Sequence, residues 1–474
     1  MSESEIKRNP ATDYSRKTYV GPSYRVSKIV PISSGQNTTI SQASTANVQF
    51  EIPNAVVNLA KSKLYFDITI PVTATNTNFI YADPLSLIDR IQLSTRSGCS
   101  LVDIQGVNNF SSIVTPIMTP NTELTQRSLG GLNKVANVAC ITVNSATPAT
   151  DSQQFPIQGI QMSNLLYTDN HRFDSPDATL AKTSCSQVSY NEQRYVFRST
   201  SGTVSCYTYQ LNLELLEHSL LSLNKDLYFN ENIVLSITFA PASKFTWIGT
   251  SNFPAGAGVG ACAVSVSVSN LSLYLMVETN TNIIDGLRAK VLSPEGFSLL
   301  CPYVYSQKIN TGVNTSSSSI FQRFNRGHGK SILRTYWSLF NGTESQNTAL
   351  DRSNVKNGKV SQYRSTINNM NIQEFPIDCT RSEDWLINAE LLEQSSILSI
   401  DQYKYLFSHV DDFTSMRPLC FSDDTMECGK SLDQEVTYGV YCNTKASAGV
   451  SYNHYLFTVV QRELRIAGGQ IGWF

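Results

Sequence analysis

Val264-Ser-Val-Ser-Val-Ser-Asn-Leu-Ser-Leu-Tyr-Leu-Met-Val277 and Tyr455-Leu-Phe-Thr-Val-Val-Gln-Arg-Glu-Leu-Arg-Ile466 decide the fold. Both are long, late, apolar stretches rich in β-branched and aliphatic residues, the composition of a strand that packs against neighbours on a pleated surface. The first changes parity: Val264, Val266 and Val268 share one register and Leu271, Leu273, Leu275 and Val277 the other. A β-bulge near Ser269-Asn270 reconciles the two. Each stretch ends a run of shorter strand signals, so the chain is read as two successive antiparallel sandwiches.

Working outward, Val48, Phe50 and Ile52 alternate with polar neighbours, and regular structure is expected to begin near Ala46. Lys63 to Pro71 places Leu64, Phe66, Ile68 and Ile70 on one face and Lys63, Tyr65, Asp67 and Thr69 on the other, a half-buried strand. Leu87 to Thr95, the Arg96-Ser-Gly98 turn and Leu101 to Ile104 read as a hairpin. Composition then shifts to Asn, Thr, Ser, Gln, Pro and Gly over 115–203, a long loop excursion. Strands resume at Val204 to Leu216, a short helix fits within Leu215 to Asn224, and Asn232 to Phe239 alternates again.

Thr279 to Gly296, polar at first and closed by Pro-Glu-Gly, reads as the linker. Beyond it, strands are expected at Phe297 to Tyr305, Ser331 to Phe340, Tyr363 to Ile372, Val436 to Cys442 and Tyr455 to Ile466. Thr380-Arg-Ser-Glu383 fits a capping box before a helix carrying Trp385, Ala389 and Leu392. Tyr403, Leu406, Phe407 and Val410 recur at helical spacing, and the same residues also fit a strand. The fold class is therefore all-β: two tandem antiparallel sandwiches with a few short helices in connecting loops. The expected organisation is a basic N-terminal arm over 1–45, a first sandwich over 46–285 with the 115–203 insertion, a second over 286–466, and a flexible or docking tail over 467–474.

A length of 474 residues suits two cores of roughly 200 residues. Charged residues are 16% of the chain, against about 25% in typical globular domains. Sparse charge with abundant neutral polar groups suits a surface covered by neighbours, because an unpaired buried charge costs far more than a hydrogen-bonded hydroxyl or amide. The net charge of −2 excludes a general attraction to nucleic acid or acidic membranes. Locally, Lys7, Arg8, Arg16, Lys17, Arg25 and Lys28 outnumber Glu3, Glu5 and Asp13, which suits either a solvated tail or an arm that orders on a partner. The ten cysteines contain no Cys-x-x-Cys pair, which argues against zinc and for reduced thiols. The start lacks an apolar signal-peptide core, and no run of about 18 apolar residues is present, so synthesis in the cell interior without a secretion signal is expected. The sequons at Asn109, Asn270 and Asn341 are read as chance in an Asn/Ser/Thr-rich chain.

No constellation selects a chemistry. Gly327-His-Gly-Lys330-Ser331 lacks the first glycine of a phosphate-binding loop, whose position holds Phe324, and a strand rather than a helix follows. Gly256-Ala-Gly-Val-Gly-Ala261 is followed by alternating Val and Ser and has no βαβ setting. His171, His218, His328, His409 and His454 are dispersed, and there is no Gly-x-Ser-x-Gly elbow. Asp411-Asp412 and Asp423-Asp424 lack EF-hand spacing and read as acidic turns. Catalytic, cofactor-binding and metal residues are accordingly assigned as none. Aromatics are 10% of the chain, and Tyr303, Tyr305, Tyr336, Trp337, Tyr403 and Tyr405 are read as core residues or interface anchors.

From Ala46 to Ile466 the order of elements resembles the double jelly-roll major capsid proteins of icosahedral double-stranded DNA viruses. The stretches that carry the resemblance are Leu64 to Ile70, Leu87 to Gly98, Glu214 to Asn224 leading into Glu231 to Phe239, and Ile367 to Pro376 before the Trp385 segment, the last being similar to virophage and polinton-like virus capsid proteins. The resemblance implies two eight-stranded jelly rolls side by side, a homotrimer with a pseudo-hexagonal footprint, and location in the virion capsid. It also implies contacts with neighbouring capsomers, penton and minor or cement proteins, and an N-terminal arm that either faces the virion interior, where it meets an internal membrane or the genome, or ties neighbouring trimers together. It brings no catalytic residue, cofactor or small-molecule substrate. Two other classes fit a β-sandwich: a viral attachment or carbohydrate-binding protein using the loops of 115–203, and a glycosidase whose carboxylates converge in a cleft.

Overall fold

The computed structural model describes residues 22–33, 35–70, 77–81, 84–118, 196–199, 205–249, 260–261, 265–314, 319–324, 331–341, 360–367, 370–371, 374–378, 420–422, 438–444 and 450–473. The first half contains β1 (Tyr24–Ile29), β2 (Thr38–Ile40), β3 (Ala46–Ile52), β4 (Val57–Ile70), β5 (Thr77–Tyr81), β6 (Ile88–Thr95), β7 (Ser100–Gln105), helix α1 (Val107–Met118), β8 (Val196–Ser199), β9 (Ser205–Asn212), β10 (Asp226–Leu227), β11 (Ile233–Phe239), β12 (Thr246–Gly249), β13 (Gly260–Ala261) and β14 (Val266–Glu278). The order β2-β14-β4-β9 forms one sheet and β3-β11-β6-β7 the other. These eight antiparallel strands are a jelly roll. A small side sheet, β13-β12-β5-β8, joins the segments that leave it.

The alternation read from the sequence is what closes this sandwich. Leu64, Phe66, Ile68 and Ile70 of β4 are buried while their neighbours are half-exposed. Phe66 stacks on Tyr209 of β9 at 5.2 Å and meets Phe239 of the opposite sheet edge-on at 5.4 Å. Burying each such side chain contributes about 1.5–3 kcal/mol. The predicted hairpin is the β6–β7 pair. The predicted bulge is present too: the β14–β4 register shifts between Ser269 and Ser272, and Asn270 lies at φ +54° with its amide donating to Asp67 Oδ2 at 2.6 Å. Both halves of β14 therefore bury their apolar residues despite the change of parity.

Three expectations need correction. Regular structure begins before Ala46, because β1 and β2 lie within the stretch read as an arm and pair with successive parts of β14. β1 was hidden from periodicity because it is an edge strand: Arg25, Val26 and Lys28 are exposed and no face is cleanly apolar. Glu278 pins its start, with Oε1 accepting from the backbone N–H groups of Ser23, Thr279 and Asn280 at 2.8–3.0 Å. The short helix expected at 215–224 is two separate 3-10 turns, Leu213–Leu215 and Leu220–Ser222, the second capped by Ser219. The linker is helical over α2 (Thr281–Leu292): Asn280 caps it by accepting from Asn282 N–H at 3.1 Å, Ile284 and Leu287 pack on the core, and Val291 is buried.

The second half contains β15 (Phe297–Asn314), β16 (Ser319–Phe324), β17 (Ser331–Asn341), β18 (Val360–Ile367), β19 (Met370–Asn371), β20 (Ile377–Asp378), β21 (Cys420–Ser422), β22 (Tyr438–Thr444), β23 (Val450–Ala467) and β24 (Gln470–Trp473). Its sheets are β15-β23-β17-β21 and β16-β22-β18-β19, the same antiparallel jelly-roll order as in the first half. β24 pairs with Leu464–Ala467 of β23, beyond Gln461, where the pairing of β23 with β17 stops opposite Ser331. The tail is thus a docked strand. The Trp385 segment, residues 399–410 and most of the 115–203 stretch lie outside the described residues, although α1 and β8 fall at its two ends.

Candidate functional site

The two sandwiches meet along the outer strands of two of their sheets. β7 is the outer strand of its sheet and β15 runs along it. An uncovered strand edge invites pairing with other chains. Here the edge is engaged from the second half: Gln105 N–H donates to Ser306 Oγ at 2.9 Å, and the Trp473 indole N–H donates to the Ser100 carbonyl at 2.7 Å.

Gly106 ends β7 and turns the chain into α1. Its φ of +68° is costly for any side chain, and a Cβ there would touch the Tyr455 ring at 3.4 Å. The turn aims Val107, Phe110 and Val114 inward at helical spacing, all buried. Phe110 packs on Phe457 at 5.0 Å and meets Tyr336 edge-on at 6.4 Å, both from the second half. Tyr336 is fully buried, and its hydroxyl hydrogen-bonds His218 Nε2 at 2.9 Å. One continuous apolar core runs from Ile40 through Phe110 to Phe457 and Ile466. The pair is a fused body rather than two beads on a linker.

At one end of the seam the Arg462 guanidinium lies over Tyr303 (5.3 Å) and Trp473 (4.7 Å) and donates to Tyr305 Oη at 3.2 Å. Arg90 makes a bidentate pair with Asp103 at 2.7 and 2.8 Å, and this hydrogen bonding raises its pKa further. Burial pushes the Cys301 thiol up to about 12 and raises Cys99 and Tyr303 as well. These shifts favour neutral thiols and phenols, so these groups are held away from acid–base work near neutral pH. A cavity of about 310 Å³ opens at the seam between Asp89, Gln105, Asn109, Lys244, Lys308 and Tyr455. Among the described residues no group of three or more His, Cys, Asp or Glu side chains converges as a metal site. Among them, no helix is long and apolar enough to cross a membrane.

The structure places Tyr303, Tyr305 and Tyr336 in the seam. The Trp337 side chain and all of Tyr403 and Tyr405 lie outside the described residues, as do His171, His328, His409, Gly327–Lys330, residues 256–259, Asp411-Asp412 and Asp423-Asp424. His454 is in β23 with its side chain outside them. Ser331 opens strand β17, and Gly260–Ala261 is strand β13, so neither glycine-rich stretch leads into a helix. Asn109 is buried in α1 and Asn270 is used at the bulge. Sequence reasoning missed Gln105, Gly106, Phe110, Ser306, His218 and Trp473 as seam residues. Phe110 and Val114 at i, i+4 spacing and the isolated terminal tryptophan were the available signals.

No protein-family model matches the sequence, and no curated protein matches it. Solved structures do. The mavirus major capsid protein is similar with a TM-score of 0.50 at 9% identity, over 99% of this chain and 95% of that one. A chain of the Sputnik virophage, from the 3.5 Å cryo-EM structure, is similar with a TM-score of 0.50 at 12% identity, over 99% of this chain and 92% of that one. Strand order, the repeated sandwich and these likenesses agree that the chain has the double jelly-roll fold seen in viral major capsid proteins.

Proposed function

We propose that this protein is a structural subunit of a viral capsid, one that trimerises so that its six jelly rolls form a pseudo-hexagonal capsomer and assembles with its copies into an icosahedral shell. The observation that carries the reading is the fused seam within a double jelly roll: two similar sandwiches held in one orientation by a shared core and by strand-edge hydrogen bonds. A tile of this kind works by shape. Three rigid pairs related by a threefold axis present six near-equivalent edges, and many modest interfaces of ~1,600 Å² add up to a stable shell. The low charge of the chain suits surfaces that end up covered by neighbours. In this reading the partners are further copies of the chain, penton and minor capsid proteins, and an internal membrane or genome met by the basic N-terminal residues.

Size-exclusion chromatography with light scattering on the purified chain is the direct test. The expected result is a trimer that appears hexagonal in negative stain; a strictly monomeric species at micromolar concentration overturns the proposal.

A further inference from the structure

We infer that the C-terminal strand β24 is a clasp: its docking reinforces the shared core that joins the two sandwiches, and its release weakens their coupling. Four contacts converge on these last residues. Trp473 donates its indole N–H to Ser100 O at 2.7 Å, across the seam on β7. Its ring packs edge-on to Tyr303 at 5.5 Å and, with Tyr303, encloses the Arg462 guanidinium. The turn before it is tied to the linker helix, with Gly468 N–H donating to Ser293 O at 3.0 Å and Gly469 N–H to Val291 O at 3.2 Å. Gly469, at φ +78°, also lies against the first sandwich, where a Cβ would fall 2.7 Å from Asn230 Nδ2. One short segment therefore touches the last strand of the second sandwich, the edge strand of the first, a loop of the first and the helix that joins them.

The geometry suits a clasp rather than a core element. Gln470 is exposed, and Ile471, Gly472 and Trp473 are half-exposed even where Ile471 and Trp473 pack on the core. Local opening of such a segment lies at the low end of a protein's range of stabilities. The clasp would operate in a chain of any function, so its failure and that of the capsid reading are separable.

The test uses the full chain with Trp473→Ala, Trp473→Phe and Gly469→Ala. Scanning calorimetry reports whether the halves melt together, and mass spectrometry follows trypsin cleavage after Arg288 and Lys290 of α2. Arg288 is held over the Tyr228 ring of the first sandwich at 5.5 Å in the docked form. The expected result is one transition for the wild type, two for Trp473→Ala and Gly469→Ala, and linker cleavage about ten-fold faster in both variants. Trp473→Phe keeps the ring contacts and loses the hydrogen bond, so it should lie between. Should Trp473→Ala fail to fold, Trp473→Phe and Gly469→Ala decide the matter. A single transition with wild-type cleavage in the variants that fold overturns the inference.

Discussion

Phe110→Ala tests whether the seam is a shared core. Phe110 is 2% exposed, with rings from the second half at 5.0 and 6.4 Å. Removing a buried phenylalanine costs about 3–5 kcal/mol through lost transfer energy and the cavity left behind. The aromatic contacts place the expected loss at about 4 kcal/mol. Unfolding entropy near 2.1 cal/mol/K per residue converts that loss into a melting shift. If all 474 residues melt as one unit, the total is about 1 kcal/mol/K and Tm falls by about 4 °C. If the first sandwich melts by itself, with the chain up to Glu278, the fall is about 7 °C. The smaller shift is expected, because Phe110 belongs to a core that crosses the seam. Urea titration gives the free energy and calorimetry the shift, with Phe66→Ala, whose ring contacts stay inside the first sandwich, as the matched control. A double-mutant cycle with Phe457→Ala should return a coupling of about 1 kcal/mol. A loss below about 1 kcal/mol for Phe110→Ala, or no coupling, would refute the shared core.

Gly296→Ala should destabilise the chain by at least about 2 kcal/mol in urea titration, because φ is +68° and the new Cβ would collide with the Ile466 carbonyl and Ala467. A neutral substitution would mean that the α2-to-β15 turn can relax. Alkaline pH should loosen β1: Tyr24 donates to Asp226 Oδ1 at 2.8 Å, and burial followed by that hydrogen bond pushes its hydroxyl up to about 12. A folded pKa above the unfolded value of about 10 gives stability that is present below pH 10 and lost as pH rises through 12. Stability measured from pH 9 to 12 should therefore fall less steeply in Tyr24→Phe than in wild type, and identical slopes would disprove this coupling.

What the sequence made legible follows from local physics. Strands with one buried face, such as Leu64 to Ile70 and Val48 to Ile52, announce themselves by period-2 alternation, and the change of parity placed a bulge near Ser269-Asn270. Elements whose stability comes from elsewhere stayed silent. β1 is an exposed edge held by Glu278 and by its partner strand. α1 carries Asn108-Asn109, Ser111-Ser112 and Pro116, and it packs between two sandwiches. α2 buries one side chain fully. The seam could not be read because it depends on which strand edges meet, a property of the closed sandwiches and not of any short window of sequence.

The position of β14 has a consequence in time. It lies between β2 and β4 in the middle of its sheet, yet it is the last strand of its sandwich to leave the ribosome. At about 5–20 residues per second, Glu278 follows the end of β4 at Ile70 by roughly 10–40 s, and until then β4 has no partner on that side. β23 repeats the situation in the second half, between β15 and β17. Each sandwich therefore waits with a gap at its centre, and the nascent chain carries an open slot that a strand from another copy could enter before its own arrives.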